Sequence, residues 1–181
     1  MSMIAHLNHA YDGIAILCGD GAQAMGFIKY LVESFGKIKT DILTMPGGTR
    51  ALSRYEEEGH ELLAENMERL NVMHEAMLIA LATYLDHGGD EIHLCDHFKC
   101  GFWFDYRNLD KAKAAQIASM WRTVRIIQDF ISRLRDDPQY AQKYKVNPSN
   151  IRVKKYVLHY ATLNEGGDLE NIQQVGELAV A

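Results

Sequence analysis

Gly13-Ile14-Ala15-Ile16-Leu17-Cys18 is a short apolar run, closed on one side by Asp12-Gly13 and on the other by Gly19-Asp20-Gly21. An unbroken apolar run between turn residues suits a strand buried on both faces of a parallel sheet better than a helix. Residues 22–35 then carry Met25, Ile28, Leu31, Val32 and Phe35 at three- and four-residue steps. That spacing predicts a helix with one buried face, ending near Gly36. Asp41-Ile42-Leu43-Thr44-Met45 reads as a second strand, stopped by Pro46-Gly47-Gly48, where the glycines permit backbone conformations closed to other residues.

From Thr49 to Tyr84 the pattern is helical, with Thr49 as the expected N-cap and a division near Gly59. Glu91 to Asp96 is the third strand. Leu109 to Leu134 carries Ile117, Met120, Trp121, Val124, Ile127, Ile131 and Leu134 on one face, predicting a long helix before Pro138. Val153 to Tyr160 reads as a fourth strand. The tail from Leu163 offers only a Gly166-Gly167 turn and a short helix from Asp168. Strands alternating with helices imply right-handed crossovers and an α/β fold with a mainly parallel sheet flanked by helices. Residues 1–181 read as one domain.

Composition narrows the function. At 181 residues, a globule hides roughly 70% of its unfolded surface and needs no disulfide to hold its core. The formal charge of −5 argues against a nucleic-acid groove, which needs a basic stripe facing phosphates. Arg152, Lys154 and Lys155 fit a solvated face. No apolar run approaches the roughly 18 residues that cross a bilayer, so no membrane span is expected. The start of the chain lacks the pattern of a secretory signal, and three cysteines are too few for a disulfide framework; both point to the cytoplasm.

The chemistry lies at the ends of the predicted strands, where ligands of such sheets sit. His97-Phe98-Lys99-Cys100-Gly101 follows the third strand. Imidazole and thiolate three positions apart can grip one soft metal ion, and Zn²⁺ takes both in a tetrahedral shell. Cys18 and Asp20, where the first strand ends, supply the missing donors. The site therefore reads as Cys18, Asp20, His97 and Cys100 around Zn²⁺. Cys95 and His93 alternate with His97 along the third strand, so Cys95 competes as a ligand but reads better as a buried thiol. Gly19-Asp20-Gly21 lacks the Gly-x-Gly-x-x-Gly spacing of a dinucleotide site.

These three stretches, Cys18-Gly19-Asp20, Pro46-Gly47-Gly48 and His97-Phe98-Lys99-Cys100-Gly101, occur in the order found in the β-class carbonic anhydrases, which the chain resembles from Asp12 to Leu134. The resemblance implies zinc on Cys18, His97 and Cys100, with water or Asp20 in the fourth position. It also implies a homodimer or larger homo-oligomer acting on a small-molecule substrate. Zinc-bound hydroxide would then hydrate CO₂ to bicarbonate, or act on COS or CS₂. Two departures matter. Ala22 stands where the family's Cys-x-Asp-x-Arg motif has arginine, so nothing at that position holds Asp20 off the metal. Arg50 is the candidate to replace the lost guanidinium, which makes Asp20 and Arg50 the catalytic candidates. Phe102-Trp103-Phe104 brings more aromatic bulk than the family pattern. The alternative function is a non-catalytic, zinc-stabilised protein with a closed Cys₂HisAsp site and a binding or regulatory role.

Overall fold

The central strand is the apolar run itself. In the computed structural model, which describes residues 11–19, 21–45, 47–53, 61–98, 100, 109–164 and 169–180, β1 spans Gly13–Cys18 and is buried along its whole length. It lies between β2 (Thr40–Met45) and β3 (Glu91–His97), parallel to both. β4 (Lys155–Leu163) continues the parallel set beside β3, and β5 (Leu169–Ala179) closes the edge antiparallel to β4, for the order β2-β1-β3-β4-β5.

Alternation along the strands sorts the core into two layers. Ile14, Ile16, Ile92, Leu94, Tyr156 and Leu158 pack with α3 (Glu61–Asp86) and α4 (Leu109–Asp136). Ala15, Leu17, Cys95 and Ala161 face the other way, onto Phe27 and Leu31 of α1 (Gly21–Phe35). The sheet is therefore covered on both faces, as an α/β sheet with apolar central strands requires. Among the described residues, no helix is long and apolar enough to cross a membrane.

Three expectations need correction. Thr49 is not the N-cap: α2 (Thr49–Leu52) starts with Thr49 inside it and Gly48 as its cap, because the Thr49 side chain is engaged elsewhere. Gly59 lies outside the described residues. Pro138 does more than end α4; it opens α5 (Pro138–Tyr144), whose N-cap Asp137 accepts from Gln139 N and Tyr140 N.

The tail holds the third correction, since the segment after Asp168 is β5 and not a helix. Leu169, Ile172, Val175 and Leu178 recur every third residue, which imitates a helical face. The strand accommodates this with two irregularities: Thr162 pairs with Asn171 and Leu163 with Leu169, skipping Glu170, and Leu158 pairs with Gly176 and His159 with Gln174, skipping Val175. The extra residue at Glu170 puts Leu169 and Ile172 together on the α1 side, while Val175 reaches the opposite layer.

Candidate metal centre

β1 and β3 are neighbours, and both end at the same edge, with Leu17 opposite Cys95 in the register. This brings Cys18 beside the chain leaving β3. The Sγ atoms of Cys18 and Cys100 are 3.7 Å apart, and the donor atoms of Cys18, His97 and Cys100 all lie within 4.8 Å of one another. All three residues are buried. A tetrahedral ion with metal–sulfur bonds of about 2.3 Å would hold its sulfurs about 3.8 Å apart. Two uncharged thiols in contact would sit at a similar distance, so the imidazole discriminates.

His97 Nδ1 is 3.0 Å from the carbonyl oxygen of Phe98. A carbonyl only accepts, so Nδ1 carries the proton and Nε2 keeps a lone pair. That Nε2 is buried. Beside the ring lies the Cys18 sulfur, which shares a hydrogen bond with the imidazole in the metal-free state and would share a metal ion with it in the loaded one. Burial lowers the His97 pKa, but the Cys18 sulfur beside it, the Phe98 carbonyl and Asp96 outweigh that, so in the metal-free state the ring holds its proton above the ordinary range. A metal ion would compete with that proton for Nε2.

The surroundings hold these donors in place. Gln116 of α4 donates to His97 O at 2.9 Å, Phe98 N donates to Ala161 O at 2.9 Å, and Ala115 packs on the two sulfurs. Met45 O accepts from both Gly19 N (3.0 Å) and Gly48 N (2.8 Å), which ties the end of β1 to the glycine turn. Gly48 has φ +52°, and a Cβ there would meet Cys18 N at 2.8 Å. Only glycine lets the two backbones approach this closely.

Of the residues singled out from sequence, Cys18, His97 and Cys100 come together. Arg50 is buried in α2. Asp20, Pro46, Lys99, Phe102-Trp103-Phe104, His6, His9 and His60 lie outside the described residues, as does the side chain of Ala22. Cys95 is not in the group: it is buried against α1 with Gln23 Nε2 4.0 Å from its sulfur, and burial pushes its thiol well above the usual range. His74 bonds Leu52 O and His87 pairs with Asp41.

Two residues escaped the sequence reading. Asp96 is buried, its Oδ2 accepting from Thr49 Oγ1 at 2.6 Å; burial is the main reason its carboxyl is pushed up to about 7. Tyr160, its register partner on β4, has a buried hydroxyl with no hydrogen-bond partner. Strand alternation offered a signal for Asp96. If His93, Cys95 and His97 share one face, Asp96 shares the other with Leu94, where a lone carboxylate is out of place.

The chain is similar to a β-carbonic anhydrase of known structure. That protein is isoform I from the protozoan Trichomonas vaginalis, 10% identical, with 92% of this chain and 82% of that chain covered and a TM-score of 0.32. No family model and no curated protein matches the chain. At that TM-score the chemistry of the site is carried by its own side chains. Cys18, His97 and Cys100 form a group that can hold a metal ion.

Proposed function

We propose that Cys18, His97 and Cys100 hold one zinc ion, and that the chain adds water to a small linear molecule there: CO₂ to give bicarbonate, or COS or CS₂. The observation that carries this reading is the convergence of three buried donors, Cys18, His97 and Cys100, with their ligand atoms all within 4.8 Å of one another. Thiolate and imidazole donors select zinc among common divalent ions. When bound, zinc would supply a Lewis acid that lowers the pKa of water well below its bulk value of roughly 15.7, less strongly on two thiolates and one imidazole than on three imidazoles. The chain's own contribution is to fix the donors: Phe98 O sets the His97 tautomer, and Gln116 and Met45 O hold the two strand ends. Zinc-loaded protein should contain one zinc per chain and hydrate CO₂ faster than buffer in stopped flow, with Cys100→Ser losing both. Full zinc occupancy with hydration at the buffer rate would sink the catalytic reading.

The burial of all three donors, together with alanine at position 22, favours a second reading: a closed, non-catalytic Cys₂HisAsp centre. Cobalt(II) in place of zinc separates the two. A closed centre predicts that Asp20→Ala changes the d–d bands, because water replaces a carboxylate; an open centre predicts unchanged bands. We also propose a homo-oligomer, in keeping with the exposed Val72 and Ile79 on α3; light scattering checks it.

A further inference from the structure

Asp96 stands immediately before His97, yet its side chain turns away from the sulfurs and into the start of α2. Thr49 donates to it from the hydroxyl, at 2.6 Å. The carboxylate thus ties the first residue of this short helix to a different strand, while Arg50 N and Ala51 N, deeper in the helix, donate to Gly47 O and Gly48 O. Thr49 is held from behind as well, its carbonyl accepting from Thr123 Oγ1 of α4 at 2.8 Å. It is pinned between β3 and α4.

What that pinning secures is the residue before it. Gly48 lies so close to β1 that an added Cβ would be 2.8 Å from Cys18 N, 3.0 Å from Leu17 C and 3.2 Å from Asp96 Oδ1. Cys18 therefore has its backbone against the same turn that Asp96 clamps, while Asp96 shares a peptide bond with His97. One hydrogen-bonded pair connects the strand ends that carry two of the three donors.

We infer that Asp96 and Thr49 are positioning residues for the metal centre: their hydrogen bonds set the separation of Cys18 from His97 and so pre-form the site before metal arrives. This rests on the zinc reading above. It assigns the two residues no contact with substrate and no proton transfer. Sites pre-formed in this way gain affinity because fewer groups must be ordered on binding, and loss of an outer-shell partner typically costs 10–100-fold in metal affinity.

The test is zinc affinity of the full chain, by competition with a chromophoric chelator, and the thiolate-to-metal bands of the cobalt(II) form. Thr49→Val keeps the shape and removes the hydroxyl donor; zinc affinity should fall by about 10–100-fold, with shifted cobalt bands. Thr49→Ser restores the donor and should return affinity to within about threefold of wild type. A purely structural role would instead lower the melting temperature of the metal-free protein in Thr49→Val while leaving zinc affinity and the cobalt bands unchanged, and that result would overturn the inference. Should Thr49→Val fail to fold, Asp96→Asn decides. Its amide oxygen still accepts from Thr49, so it should stay near wild type while Asp96→Ala, which removes the acceptor, loses about 10–100-fold in zinc affinity; equal affinity in Asp96→Ala and Asp96→Asn would overturn the inference. Wild-type protein that binds no zinc would refute the zinc reading itself, a separate outcome from wild type and all variants binding equally well.

Discussion

His93 and His97 stand on the same strand, four residues apart, and both are buried. His93 has both nitrogens engaged: Nε2 meets Glu91 Oε2 at 3.1 Å and Nδ1 meets His159 Nε2 at 3.0 Å. The carboxylate accepts from His93 Nε2–H, so Nδ1 accepts from His159, and His159 Nδ1 is left bare and buried. A buried imidazole lone pair is thus found in both regions. What it faces differs. The His159 ring is caged by Phe27, Tyr30 and Phe35 at centroid distances of 5.1–5.5 Å, whereas His97 Nε2 has the sulfurs of Cys18 and Cys100. A histidine becomes a candidate ligand through the donors that converge on it; the same ring among aromatic neighbours is core.

The largest expected effect breaks or keeps that contrast directly. His97→Ala and Cys100→Ser should each drop zinc from about one per chain to almost none, measured by elemental analysis after dialysis. His159→Phe, which replaces a caged ring by another, should leave zinc content unchanged. Equal zinc loss in His159→Phe would erase the distinction between the two regions.

Acid should separate them next. Burial is the leading cause that lowers His93 to about 4 and His159 to about 3; the ammonium groups of Lys37 and Lys155 add to it at His93, and His93 itself and Lys155 at His159. For His93 the Glu91 carboxylate opposes this; Lys37 also pairs with Glu91 at 3.3 Å. Unfolded histidines protonate near 6.5, so between that value and the folded ones the unfolded chain binds more protons. The contribution of the two histidines to stability is then complete above pH 6.5 and drains away as pH falls toward 4, by on the order of 4 kcal/mol. Asp96, held up at about 7, gains part of it back over the same range, so the histidine share is the difference between wild type and His159→Phe. Thermal unfolding of metal-free protein from pH 7 to pH 4 should show a falling midpoint, flatter in His159→Phe. A midpoint that falls as steeply in the variant would assign acid sensitivity to other groups.

How much of this could be read from sequence follows the reach of each interaction. β1 was legible to the residue because a strand buried on both sides must be apolar throughout, and glycines close it. Cys18, His97 and Cys100 were legible because strand ends meet at one edge in a parallel sheet. Asp96 was marked only by its place on an apolar face; its role was hidden because its partner, Thr49, arrives from a turn 47 positions away, and Thr49 itself imitates an N-cap. Also hidden was the polar stripe of α4, where Gln116, Ser119 and Thr123 reach His97 O, Ser53 and Thr49 O; the apolar stripe beside it gave the stronger signal. β5 was misread because bulges let a strand carry a three-residue period.

Two glycines sharpen the comparison at smaller scale, one in each region. Gly48 seats the turn beside Cys18, and Gly36 ends α1 just after Phe35, whose ring packs on His93 and His159. Both have positive φ, +52° and +64°. At Gly36 an added Cβ meets nothing within 4 Å, and the turn is held by Gly36 N to Val32 O and Lys37 N to Leu31 O, so alanine should cost only the left-handed backbone, about 1 kcal/mol. At Gly48 the backbone strain is joined by a contact with Cys18 N that no side chain can rotate away from. Gly48→Ala should therefore cost about 3 kcal/mol in denaturant unfolding of metal-free protein, and it should weaken zinc binding where Gly36→Ala does not. If the two alanines cost the same and zinc binds both equally, the close approach of Gly48 to Cys18 is a feature of packing with no bearing on the metal centre.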